Sequence, residues 1–173
     1  TPYLLIWLER LPVFNDLLQF DQPFQFVGNE DSLRDHIVVV GFGRVGQTLV
    51  RMLYFQGHQI LVIDNDEAAL QTLREREIPY LYGDAASPTV LAKANLPAAK
   101  SMAIALPDPM TTRLTLNRAL SLAPELDITV RAHNKDEIEV LYQLGAQEVV
   151  QPEFEASLEM GAHMLLKLGD SAY

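Results

Sequence analysis

The sequence predicts an α/β protein: a doubly wound, parallel, six-stranded sheet with helices on both faces, an N-terminal helical arm and a C-terminal helix. Two observations lead there. From His36 onward, short apolar runs rich in β-branched residues alternate with segments of helical periodicity, and every connection has room for a helix, as parallel pairing requires. The turn after the first apolar run is glycine-rich and opens directly into a helix.

The elements follow in order. Thr1 to Phe20 is rich in large apolar residues whose spacing partly fits one helical face, so one or two short amphipathic helices are expected, interrupted at Pro12. Residues 21–35, with Asp21-Gln22-Pro23 and Gly28 to Ser32, read as a linker. Ile37 to Val40 is a continuous β-branched strand of the kind covered on both faces. A helix spans Arg44 to Gln56, with Val45, Leu49, Met52 and Leu53 on one side. Ile60 to Ile63 is a second strand, Glu67 to Arg76 a second helix, and Tyr80 to Tyr82 a third strand. Ser87-Pro88 marks a helix start, with serine at N-cap and proline at the first helical position. Met102 to Leu106 is the fourth strand, and a helix from Asp108-Pro109 runs to about Ala123. Ile128 to Arg131 is the fifth strand, Asp136 to Leu144 a helix, Glu148 to Val150 the sixth strand, and a last helix spans about Phe154 to Leu168. The expected division is therefore 1–35 arm and linker, 36–152 sheet domain, 153–173 C-terminal helix.

Composition narrows the function classes. The chain has 173 residues, 49% hydrophobic and 21% charged, which is globular rather than disordered. It has no cysteine, which removes disulfide scaffolds, thiolate metal sites, iron–sulfur clusters and a cysteine nucleophile. Thirteen Lys and Arg stand against 23 Asp and Glu, a net charge of −10 that repels nucleic-acid backbones. A local anion site built from backbone N–H groups remains open to it. The longest apolar stretch near the start, Tyr3 to Leu8, is far short of the ~20 residues of a membrane span.

The segment that carries chemistry is Gly41-Phe42-Gly43-Arg44-Val45-Gly46, a G-x-G-x-x-G run between the first strand and the first helix. The first glycine permits the tight turn, the second lets a pyrophosphate approach the backbone, and the third allows close helix–strand packing. Asp64 ends the second strand ~20 residues further on, where a carboxylate accepts the ribose hydroxyls of an adenosine. The following Asn65-Asp66 offers no arginine for a 2′-phosphate, so NAD or an adenine nucleotide is favoured over NADP. Arg44 is either a phosphate contact or a solvated first-turn residue, and the first is favoured because a cation at a helix N-terminus is otherwise unfavourable.

Other candidates lie after later strands. Asp84, in Gly83-Asp84-Ala85, is equally a partner for an adenine amino group and the turn residue before the next helix. Asp108 suits an N-cap. Arg131, His133 and Asn134 follow the fifth strand; an arginine there approaches a phosphate, although each residue also suits a structural role. His133 is the one histidine of the four near this edge and the only candidate acid/base. No G-x-S-x-G, H-E-x-x-H or P-loop motif occurs, and little chain remains after the sixth strand to build a substrate domain. The nucleotide therefore reads as a signal rather than a substrate, and the chain as no enzyme. The alternative is a small NAD-dependent oxidoreductase using His133.

In combination, His36 to Gly46, Val62 to Asp66, Tyr82 to Ala85, Asn117, Arg131-Ala132 with Asn134, and Leu144-Gly145-Ala146 through Val150 to Glu153 resemble the N-terminal nucleotide-binding subdomain of regulators of potassium conductance (RCK, also called KTN or TrkA-N domains). The resemblance covers about residues 35–168. It implies a Rossmann fold at the cytoplasmic face of a membrane, gating a potassium channel or a Kef-type cation:proton antiporter. NAD(H), AMP, ADP or ATP would bind the cleft and shift the conformation of a homodimer. By position, Gly41, Gly43, Arg44 and Gly46 would face the phosphates, Asp64 the ribose and Asp84 the adenine side, with Phe42, Val45, Asn65 and Ala85 also in the cofactor-binding set and Arg131 a weaker contact. The last helix would be the crossover helix through which two subunits pair, and Thr1 to Phe20 the tail of a membrane domain.

Overall fold

The computed structural model describes residues 33–168. The expected helices of the arm, most of its linker and the last five residues lie outside them. Six strands form one sheet: β1 (Ile37–Val40), β2 (Ile60–Asp64), β3 (Tyr80–Tyr82), β4 (Ser101–Ile104), β5 (Asp127–Arg131) and β6 (Glu148–Val150). Their order is β3-β2-β1-β4-β5-β6, and every neighbouring pair is parallel. The helices are α1 (Arg44–Phe55), α2 (Glu67–Glu75), α3 (Pro88–Lys93), α4 (Pro109–Leu122), α5 (Lys135–Gln143) and α6 (Pro152–Leu168), with a 3-10 turn at Leu96–Ala98. This is the doubly wound α/β fold that the alternation of elements predicts.

The sheet divides two hydrophobic cores. Alternate residues of β1 and β2, with Val39 and Val62 central, pack with Val50 of α1 and Leu70 and Leu73 of α2. Val38, Val40, Leu61, Ile63, Met102, Ile104, Ile128 and Val130 pack on the opposite face with Leu91 of α3, Leu116 and Ala119 of α4 and Leu141 of α5. All four residues of β1 are buried, so the strand is read correctly as two-faced. Each such side chain contributes roughly 1.5–3 kcal/mol by leaving water.

Three differences from the sequence reading have physical causes. First, β4 stops at Ile104 rather than Leu106, because its partner in register is Val40, where β1 ends and the chain turns at Gly41. Second, the described helices do not cover both faces of the sheet throughout. In β4 and β5 burial alternates, and Ala103, Thr129 and Arg131 remain partly exposed on the face opposite α4 and α5. Third, the last helix starts two residues earlier, at Pro152, a position where a missing N–H costs nothing.

The end of the linker is tied to the domain. Leu33 is buried, its carbonyl accepts the Asn95 amide at 3.0 Å, and the Asp35 N–H donates to the Ala98 carbonyl at 2.9 Å. At the other terminus, α6 has no buried residue. No helix among the described residues is long and apolar enough to cross a membrane.

Candidate functional site

The sheet order reverses between β1 and β4, so the loops leaving these strands diverge and open a crevice at the carboxyl edge. The glycine-rich turn sits at that point. Gly41 has φ +92°, and a Cβ there would lie 3.0 Å from the Ala105 carbonyl oxygen across the crevice. A Cβ on Gly46 would lie 1.8 Å from the Gly41 oxygen, so only glycine lets α1 approach the strand this closely. Gly43 is different. Its φ is −72°, open to any residue, and a Cβ there would meet nothing within 4 Å. The fold of the chain itself places no demand for glycine at 43, which faces open space at the surface.

That space lies at the start of α1. Gly43 supplies no side-chain cap, and the first turn has no acidic residue. By contrast, α2, α4 and α5 are capped by Asp66, Asp108 and Asn134. Among the longer helices α1 is thus uncapped, as the short α3 is, and the first N–H groups of a helix, which have no intrahelical acceptor, can receive an anion there. Arg44 is exposed beside them, and its guanidinium makes no hydrogen bond or ion pair among the described residues. Val45 is half-buried in the same turn. Phe42 turns its ring into the α1–α2 core.

Asp64 does more than the sequence reading gives it. Its Oδ2 accepts the Phe42 N–H at 2.6 Å and its Oδ1 the Asp66 N–H at 2.7 Å. The carboxylate thus fastens the glycine turn to the end of β2. A carboxylate has about four acceptor positions, so each oxygen keeps one for a ribose hydroxyl. Asn65 is exposed next to it. Asp84 forms the turn before α3, its Oδ1 accepting the Ala86 N–H at 2.8 Å, while Ala85 is buried. Arg118 of α4, which nothing in the sequence pattern singles out, donates to the Ala86 carbonyl and holds this turn from behind.

The edge beyond β4 is more self-satisfied. Asp108 accepts the Thr111 hydroxyl and N–H, both at 2.7 Å. The hydroxyl first, then the N–H, hold its carboxyl below the ordinary range. Arg131 is paired with Glu153 at the start of α6, a partner the sequence reading does not anticipate. The Glu153 carboxyl is lowered first by its own backbone N–H and then by Arg131. His133 has both ring nitrogens shut off from solvent without a hydrogen bond, with Nδ1 3.5 Å from the buried Glu137. Glu137 in turn accepts the His133 N–H and the Asn134 amide. The first cluster, Gly41 to Gly46 with Asp64 and Asp84, faces outward along β1 to β3; the second, around Arg131 and His133, is bonded mainly to itself. No group of three metal-ligating side chains occurs among the described residues.

Comparison with known proteins follows this geometry. The TrkA-N domain family model matches residues 37–152. The chain is 31% identical over 173 residues to the glutathione-regulated potassium-efflux system protein KefC of Klebsiella pneumoniae subsp. pneumoniae, covering 100% of this chain and 27% of that protein. It spans about a quarter of the length of the curated relatives it matches. Among solved structures, the TrkA-N domain of the inner membrane protein ybaL from Escherichia coli superposes with a TM-score of 0.71 at 29% identity, over 75% of this chain and 96% of that one. The Shewanella denitrificans Kef CTD in AMP-bound form gives 0.71 at 26% identity, over 79% and 83%.

Proposed function

The chain belongs to the TrkA-N domain family, and we propose that it is the nucleotide-sensing regulatory domain of a potassium transport system, a Kef-type antiporter or a potassium channel, at the cytoplasmic face of the membrane. The observation that carries this reading is the turn Gly41 to Gly46, which opens an uncapped helix N-terminus and is fastened through Phe42 to Asp64 at the end of β2. That set suits a phosphate with a ribose attached. The ligand class is NAD(H) or AMP, ADP or ATP: Asp64 accepts a free ribose 2′-hydroxyl and repels a 2′-phosphate. The AMP-bound Kef CTD supports the same class.

The domain works by shifting an equilibrium rather than by chemistry. His133, on which an oxidoreductase reading would rest, has both ring nitrogens shut off from solvent, and its backbone N–H is bonded to Glu137. The bare α6, with Phe154, Leu158, Met160 and Met164 exposed, supports pairing of two copies through this helix. A nucleotide that binds one dimer arrangement more tightly favours it, with a usual coupling of ~1–3 kcal/mol. The linker of residues 21–35, anchored through Leu33 and Asp35 to the 3-10 turn at Leu96–Ala98, carries the change toward an attached membrane domain.

Thermal unfolding with NAD, NADH, AMP, ADP, ATP and NADP in parallel tests the reading. A ligand at 100 times its dissociation constant adds about 2.7 kcal/mol. Stabilisation by an adenosine ligand without a 2′-phosphate is expected; no response to any of the six would refute it.

A further inference from the structure

Two tyrosines of β3 differ in a way the fold does not require. Tyr80 is engaged: its hydroxyl is 2.7 Å from Arg74 Nε, and the guanidinium lies 5.7 Å from its ring centre. Tyr82, two residues on and on the same face of the strand, is 62% exposed and has no hydrogen bond or ring contact among the described residues. Tyr82 is the register partner of Asp64 across the β2–β3 ladder, so the two side chains project from the same face of the sheet, side by side at its carboxyl edge.

The strand order turns this pairing into a ligand geometry. The phosphate space lies at the end of β1 and the ribose carboxylate at the end of β2. In a nucleotide the base leaves the ribose on the side away from the phosphate. Along β3-β2-β1 that side is β3, one strand spacing of about 4.8 Å further out. Two polar groups flank the place: exposed Asn65, and Asp84, whose Oδ2 has no partner among the described residues. A planar aromatic face with a free carboxylate oxygen in the following turn fits a base carrying an exocyclic amino donor, as the adenine of the nucleotide class proposed above does.

We propose that Tyr82 is the stacking platform for the base of the bound nucleotide and sets its affinity. The proposal rests on the nucleotide-binding reading above and adds the residue that recognises the base.

The test is calorimetric titration of AMP into the native chain, Tyr82→Thr and Tyr82→Phe. Threonine removes the ring and keeps a residue that favours an edge strand. Base–aromatic stacking is worth enough that Tyr82→Thr should weaken AMP binding about tenfold. Tyr82→Phe, which keeps the ring, should bind within about twofold of native. Native-like binding by Tyr82→Thr overturns the proposal and leaves the nucleotide reading intact. Loss in Tyr82→Phe equal to that in Tyr82→Thr also overturns it, since the hydroxyl and not the ring would then make the contact. If the native chain takes up none of the nucleotides of the unfolding series, the sensor reading itself fails, and this proposal with it.

Discussion

Helices α1 and α6 both start at the carboxyl edge of the sheet, and their first turns are opposites. The first turn of α1 has no acid and no cap, whereas that of α6 opens with Pro152, Glu153 and Glu155. The sides of the two helices are reversed as well. Gly46 and Val50 of α1 are buried against the sheet, and α6 buries nothing. One helix is therefore complete along its length and incomplete at its tip. The other satisfies its tip with its own carboxylates and buries nothing along its length among the described residues. An unfilled helix end suits a small anion, and an unfilled helix side suits another apolar surface. The difference teaches where ligand and partner should act.

The largest effect that sharpens this contrast is expected inside α1. Gly46→Ala puts a Cβ 1.8 Å from a backbone oxygen that has no room to yield. Overpacking of this kind should cost about 3 kcal/mol and lower the melting temperature by roughly 10 °C. A native-like melt would mean that α1 is not seated as described.

On α6 the account expects the reverse. Leu158 is 55% exposed, so Leu158→Asp should leave the stability of the fold within about 0.5 kcal/mol. The same substitution should convert a dimer to a monomer in sedimentation. A change in folding without a change in assembly would break the comparison.

These features were unevenly legible in sequence. The β-branched run at 37–40 and the three glycines specify strand, turn and helix through local sterics, so the fold and the candidate phosphate turn could be read together. The two backbone bonds to Asp64 depend on β1 and β2 lying side by side, which no local pattern encodes. The pairing of Arg131 with Glu153 joins residues brought together only by the β5–β6 crossover. The open half of the sheet was present as alternation in Asp127 to Arg131. The alternation of strands with helices along the chain predicts helices on both faces but does not say how far each helix reaches across the sheet.

A smaller effect concerns a helix tip that is already filled. The Asp108 carboxyl is held below its ordinary value by Thr111. Its contribution is therefore present in full above the unfolded value of about 3.9 and lost as pH falls through the lower folded one. Asp108→Ala should lower stability slightly at neutral pH and flatten the acid limb between about pH 4 and pH 2. An unchanged acid limb would show that the α4 cap is inactive. Since α1 has no such carboxylate, its tip should respond to added anions instead.

The most direct test of the central claim is the Gly43→Ala melt, with and without the stabilising nucleotide. The Cβ enters open space at an ordinary φ, so the ligand-free chain should melt as native or slightly higher. The shift that the nucleotide gives the native chain, about 2.7 kcal/mol at 100 times the dissociation constant, should be largely lost. A Gly43→Ala chain that keeps the full ligand shift would contradict the account, because the space before α1 would then not be where the phosphate binds.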